Sequence, residues 1–289
     1  RFKKPSILYF NKRNLDALTT DYYNWNHRLL PMIMVFAGRV DLNSVTPPTQ
    51  KVWAGEGVTP VVLVHTDWTW SDTDKYLGIK GGKARSSHAH MDAGSFVYDA
   101  YGVRWSMDIG RQAYAPLEIA LKALGGNLWT YTQASLRWEV SRLNNLFHST
   151  LTVNDAKHRV EGFATLEQTI NTATEQGGTF DLSPVLEDQV ASAMRTVKIV
   201  NDKDLKVIDA IRTRTDRSAK IRWTMATQTV PTVENDRIVL TSNGKTMYLT
   251  AAEEGGTQIV YKTFSTDPVH SYDDPNPGIY LVGFEATVP

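Results

Sequence analysis

From Val61 onward the chain is built of short runs in which apolar and polar residues alternate or β-branched residues cluster. VVLVHT (61–66), GSFVYDA (94–100), VRWSMDI (103–109), AMRTVKIV (193–200), KVIDAIRT (206–213), AKIRWTMAT (219–227) and IYLVGFEA (279–286) are seven of about a dozen. A period of two over four to eight residues is the signature of a half-buried strand. Turn-forming pairs such as Tyr101-Gly102, Asn201-Asp202 and Asn243-Gly244 separate many of the runs, a pattern that predicts stacked antiparallel sheets. Two stretches break the pattern. APLEIALKALGG (115–126) has a proline near its start and a glycine stop, and predicts a helix. NKRNLDALTTDYYNWNHRLLPMIMVFA (11–37) predicts a helix broken at Pro31, followed by the linker NSVTPPTQ (43–50).

The same alternation places the candidate chemistry. A hairpin around Tyr101-Gly102 puts Phe96, Tyr98, Val103, Trp105 and Met107 on one face and Asp99, Arg104, Ser106 and Asp108 on the other. In LFHSTLTV, Phe147, Leu151 and Val153 face inward and His148 turns away from the core with Thr150 and Thr152. His88 and His90, two apart in KGGKARSSHAHMDAGSF (80–96), project to one side if their backbone is extended. A cluster of His88, His90, Asp108 and His148 is therefore available, and imidazoles with one carboxylate suit Zn²⁺. The bland alternative is that each is an ordinary hydrogen-bonded polar residue of a strand.

Composition narrows the classes. The 289 residues suit one large β domain with a shorter appendage. Thirty-one basic and thirty-one acidic residues cancel, which gives no bulk attraction to nucleic acid or to an anionic membrane. Cysteine is absent, excluding disulfides, thiolate metal sites and cysteine nucleophiles, and leaving cytoplasm and periplasm both open. The longest apolar run, LLPMIMVFAG (29–38), is far short of the roughly 20 residues of a membrane span. The chain opens on Arg1, which suggests a mature protein or an excised piece.

The run YLGIKGGKARSSHAHMDAGSFVYDAYGVRWSMDIG, followed by RLNNLFHSTLTVND, resembles the heparinase II/III family of polysaccharide lyases. Their C-terminal β-sandwich carries a similar H-x-H-x-D stretch, a G-x-x-W-x-x-D-x-G hairpin and a later H-x-T strand. The resemblance implies a large antiparallel supersandwich over 53–289. It also implies that residues 1–52 are the helical tail of an N-terminal α/α toroid plus its linker. It makes His90, Asp108 and His148 the ligands of a mainly structural Zn²⁺ and turns His88 toward the sugar as the catalytic histidine. The expected substrate is a uronic-acid polysaccharide, heparin or heparan sulfate first and alginate-like polymers second, cleaved by β-elimination. The toroid would be the partner domain supplying a catalytic tyrosine, so this chain alone is expected to be inactive. A bacterial periplasmic or secreted location follows from the same resemblance.

Lys83 and Arg85 are the expected contacts to an acidic sugar, with Lys80 and Arg111 as further cations nearby. Trp68 and Trp70, on one face of a strand at period two, are candidates to stack on a pyranose, although core packing is the preferred reading, and Trp105, Trp138 and Trp223 are expected in the core. His65, His158 and His270 are expected at the surface or in loops. Two other classes stay open. A cupin-like metal enzyme would share H-x-H, but Gly94 and Ser95 stand where its glutamate belongs. A zinc-stapled β-sandwich that binds polysaccharide without cutting it would share everything except turnover.

Overall fold

The computed structural model describes residues 5–16 and 30–289. The chain divides into two compact units, Arg1–Lys51 and Val52–Pro289. The first holds two short helices, α1 (Tyr9–Asp16) and α2 (Leu30–Ala37), and a 3-10 turn at Leu42–Ser44 capped by the Asp41 carboxylate. Part of the helix expected over 11–37 lies outside the described residues. Within them Pro31 occupies the first turn of α2, where its missing N–H is one that no helix would bond.

The second unit is almost entirely antiparallel sheet. Strands β1 (Val52–Gly55), β2 (Val61–His65), β3 (Tyr76–Lys80), β4 (Phe96–Ala100) and β5 (Val103–Ser106) form a meander in chain order. Strands β7 (Thr165–Asn171), β8 (Glu175–Asp181), β9 (Ser192–Val200) and β10 (Asp204–Arg212) form a second meander, which follows β6 (Leu151–Val153) in the chain. The order β15-β16-β11-β6 unites β6 with β11 (Ala219–Thr227), β15 (Val260–Phe264) and β16 (Tyr280–Val288). A small sheet, β12 (Pro231–Val233), β13 (Ile238–Ser242) and β14 (Lys245–Leu249), completes the unit.

One apolar core draws on all four sheets. It includes Val62 and Leu77 from the first, Phe180 and Val197 from the second, Leu151 and Trp223 from the third and Leu240 from the fourth. Strands β2 and β3 lie against β8 and β9 so closely that a Cβ on Gly178 would stand 2.8 Å from Val62 Cγ2. Trp105, Trp138 and Trp223 are buried, as expected. The three turn pairs named from sequence all take left-handed φ at both central residues, including Tyr101 at 56° and Gly102 at 73°. The predicted helix is α3 (Tyr114–Ala123), ended by Gly125 at φ 78° and anchored by buried Leu117 and Leu121.

Strict alternation fails at two places that bear on the site. The β4–β5 ladder shifts register at Tyr98/Asp99, so that Asp99 faces Arg104 but Tyr98 faces Ser106. This bulge turns Ser106 into the core, where its hydroxyl donates to the Phe96 carbonyl at 2.9 Å. In the second place, β6 is only three residues long and is buried throughout; Asn145–Phe147 form a 3-10 turn before it. His148, expected to avoid the core, is 1% exposed, because β11 pairs with β6 and the Asn145 side chain covers Thr152 with a 2.8 Å hydrogen bond.

Candidate functional site

Three loops meet at one end of the sheets: the β3–β4 loop (81–95), the long β5–β6 connection (107–150) that carries α3, and the β15–β16 loop (265–279). The first two share a second, smaller core of Met91, Leu117, Leu121, Leu128, Trp138 and Leu143, and Tyr272 of the third packs against it. Met91 ties the first loop to the second by donating to the Leu143 carbonyl at 2.9 Å, and Arg85 ties it to the β6–β7 connection by donating to the Val160 carbonyl at 3.0 Å.

The β3–β4 loop is not extended through its histidines. A turn closes from Ala89 N–H to the Ser86 carbonyl at 3.0 Å, and His88 takes φ 63°, a left-handed conformation uncommon outside glycine. The two histidines therefore part instead of projecting to one side. The exposed ring of His88 lies over Tyr114, at 5.5 Å between centroids, and edge-on to Trp129 at 5.1 Å. Its Nδ1 is 3.3 Å from Tyr114 Oη, and its backbone N–H donates to Tyr131 Oη at 3.1 Å. Beneath this group Arg137, fully buried, donates to the carbonyls of Leu128 (2.9 Å) and Ala89 (2.8 Å) and lies 4.7 Å from the Tyr131 ring centroid. Trp129 is held from outside by Glu118 of α3, which accepts its indole N–H at 2.7 Å.

His90 turns the other way, its ring 5.4 Å from that of His148. Donor atoms of His90, Asp92 and His148 lie within 4.8 Å of one another. Asp108 approaches from the β5 end, with Oδ2 2.8 Å from His148 Nδ1. Burial, reinforced by the charge of His148, lowers the His90 pKa to about 4 and keeps it neutral and available as a ligand. Burial would raise Asp108, but the charge and hydrogen bond of His148 and the Gly110 N–H outweigh it and hold the carboxyl well below its usual range. His148 is raised in turn: Asp108 overcomes the burial that disfavours its charge.

The sequence-named cations do not all stand free. Lys80 donates to Asp92 at 2.6 Å, Arg85 pairs with Glu161, and Arg111 lies 6.0 Å from the Tyr114 ring centroid; Lys83 is half-buried in the loop. Trp68 and Trp70 sit in a loop with left-handed φ instead of on a strand face. Trp68 is buried and stacks on His65 at 4.3 Å, whereas Trp70 is 41% exposed. His65, expected at the surface or in a loop, is instead buried at the end of β2, beside Asp74 at 2.9 Å; His158 lies in a loop, as expected, but is buried. Residues that the sequence reading missed are Asp92, Tyr114, Trp129, Tyr131 and Arg137. Asp92 had a signal, since it follows His88 and His90 at the same spacing. The aromatic residues had none, because only the long β5–β6 connection brings them back to His88.

A profile of the heparinase II/III-like C-terminal domain matches residues 61–280, most of the chain. The chain belongs to the heparinase II/III-like family. The fold of this family domain is shared with solved polysaccharide lyases at low sequence identity. The heparan sulfate lyase HepC from Pedobacter heparinus superposes with a TM-score of 0.60 and 15% identity, over 97% of this chain and 41% of that one. The heparinase III BT4657 gene product with methylated lysines gives a TM-score of 0.60 and 13% identity, over 98% of this chain and 38% of that one. The family chain described here thus spans about two fifths of the length of these lyases. No curated protein matches it in sequence. Among the described residues no helix is long and apolar enough to cross a membrane.

Proposed function

We propose that this chain is the C-terminal β-sandwich portion of a polysaccharide lyase that cleaves heparin- or heparan-sulfate-like chains by β-elimination, with alginate-like uronates as the second substrate class. The observation that carries the reading is His88. A turn lifts its imidazole out of the buried cluster and sets it, exposed, between Tyr114 and Trp129. Removing the C5 proton of a uronate builds negative charge on the adjacent carboxylate, and a donor placed there lowers the barrier. Nδ1 lies 3.3 Å from Tyr114 Oη, and in the tautomer that accepts from that hydroxyl Nε2–H is the donor that faces the sugar carboxylate. The aromatic walls suit the apolar face of a pyranose. Lys83 and Arg85 contact further acidic groups. Arg85 exchanges its exposed Glu161 partner for substrate at small cost.

The donor set fits zinc: neutral His90, buried His148 and nearby carboxylates supply nitrogen and oxygen and no sulfur. His90, Asp108 and His148 hold the ion, with Asp92 within reach of the same centre. Bound there, Zn²⁺ acts as a staple between the β3–β4 loop and the two ends of the β5–β6 connection. The chain's own part is to keep His88 on a fixed backbone. Residues 1–52 are the tail and linker of an N-terminal helical toroid that brings the base and acid, so the 289-residue chain alone turns over little or no substrate. A polymer too large to enter the cell accords with a periplasmic or secreted location.

The test is His88→Ala in the enzyme that includes the helical domain, followed by absorbance of the unsaturated uronate product and by zinc content. The expected result is a fall in kcat of about 10² to 10³ with zinc retained. Loss of zinc points instead to a cupin-type centre with His88 as ligand, and near-normal turnover removes His88 from catalysis. Oligosaccharide binding by the wild type without any unsaturated product identifies a non-catalytic binding module.

A further inference from the structure

We infer that the β15–β16 loop is a strap that orients His148 toward the metal, acting through the main-chain carbonyl of Arg142. The inference rests on the zinc reading above, and goes beyond it by assigning a role to Asp273 and Asn276, distant in sequence from every ligand. His148 Nε2 lies 3.1 Å from the Arg142 carbonyl, and a carbonyl only accepts, so Nε2 carries the hydrogen. Nδ1 faces the Asp108 carboxylate at 2.8 Å, also an acceptor, but Asp108 is itself a ligand in the zinc reading; a metal between the two takes the place of the Nδ1 hydrogen, while the Arg142 carbonyl keeps the one on Nε2. The position of the Arg142 carbonyl thus decides which nitrogen is presented and in what direction.

That carbonyl belongs to a 3-10 turn of three residues, Ser141–Leu143, too short to fix itself. The strap fixes it from both sides. Asp273, buried, accepts the Ser141 N–H at 3.0 Å and the Ser141 hydroxyl at 2.7 Å, and the same carboxylate closes the strap on itself by accepting the N–H groups of Val269 and His270. On the other side the Arg142 guanidinium donates to Asn276 Oδ1 and to the carbonyls of Pro275 and Arg111, each at 3.0 Å. Asn276, also buried, is itself anchored by donating to the Thr266 carbonyl at 2.8 Å. Arg142, Asp273 and Asn276 are in this sense positioning residues: they touch neither metal nor substrate. Their effect is to hold the carbonyl that orients the ligand, the kind of partner whose loss weakens metal binding by about 10- to 100-fold.

The experiment uses the whole 289-residue chain and Zn²⁺ itself. Zinc affinity is measured by competition with a chromophoric chelator, and Co²⁺ substitution gives a visible spectrum that reports ligand geometry. Arg142→Met and Asn276→Ala are expected to weaken zinc binding roughly 10- to 100-fold and to change the cobalt spectrum, while still unfolding cooperatively without metal. Should Arg142→Met fail to fold, Asn276→Ala, which removes a single guanidinium contact, carries the same comparison. A strap with only a structural role lowers the stability of the metal-free chain and leaves zinc affinity and the cobalt spectrum unchanged; that result overturns the inference alone. Failure of the wild type to bind zinc overturns the metal reading and this inference with it.

Discussion

The sheet core and the loop-built site are held together by different means. In the core, side chains from four sheets interlock, and each position is fixed by which face of a strand it occupies. At the site, position is set by single hydrogen bonds from side chains to main-chain carbonyls, as with Arg137 on Ala89 and Leu128 or His148 on Arg142. The difference teaches where each region is vulnerable. Losing volume costs stability in the core, whereas losing one acceptor or donor at the site redirects a functional group with little change in packing.

Substitutions ordered by expected effect probe that contrast. Trp105 is buried in the core, its indole donating to the Ala100 carbonyl at 3.0 Å, and Trp105→Ala is expected to cost about 3–5 kcal/mol, read from the urea midpoint. A cost below about 1 kcal/mol removes the claim that interlocking governs this region.

The next effect is pH dependence at the border of the two regions. His158 Nε2 donates to the Leu151 carbonyl at 2.8 Å, Nδ1 has no hydrogen-bond partner among the described residues, and burial lowers its pKa to about 4. The unfolded chain takes up this proton near pH 6.5 and the folded chain only near 4, so the unfolded state binds more protons across that window. Stability is therefore full above about pH 6.5 and falls by about 3 kcal/mol as pH drops to 4. His158→Gln, which keeps a donor for Leu151, is expected to flatten this limb in denaturant titrations. The difference between variant and wild type isolates His158 from His90, which is lowered to the same range.

Metal removal comes third. A chelator is expected to lower stability by about 2.7 kcal/mol relative to the chain in free zinc at a hundred times its Kd, and His148→Ala is expected to abolish that increment. Equal melting curves with and without chelator break the zinc half of the comparison. The smallest effect is Gly102→Ala in the β4–β5 turn. A left-handed residue with a Cβ that would stand 2.7 Å from Asp72 Oδ1 is expected to cost about 1–2 kcal/mol, read by thermal melting.

How much was legible in the sequence follows the same division. The Tyr101-Gly102 hairpin, the α3 helix with its Gly125 stop and the buried tryptophans Trp105, Trp138 and Trp223 all follow from local pattern. Ser106 did not, because a one-residue bulge moves it to the other face of β5 and leaves no mark in the alternation. His148 did not, because three residues of strand covered on both faces read the same as a strand with one wet face.

By itself the sequence determined the antiparallel β class, the turns and the family motifs that carry His88, His90, Asp108 and His148, since each turn, strand pattern and motif depends on backbone preferences and residue types within a short stretch. Only the tertiary structure decided that His88 and His90 part company, that Asp92 stands beside His90 and His148, that Tyr114, Trp129 and Tyr131 enclose His88, and that Asp273 holds Ser141 while Asn276 holds Arg142. The physical reason is range: strand periodicity, turns and hairpins are settled by contacts near in sequence, whereas a site assembled from three loops depends on long-range pairings such as β6 with β11 that bring those loops to one end.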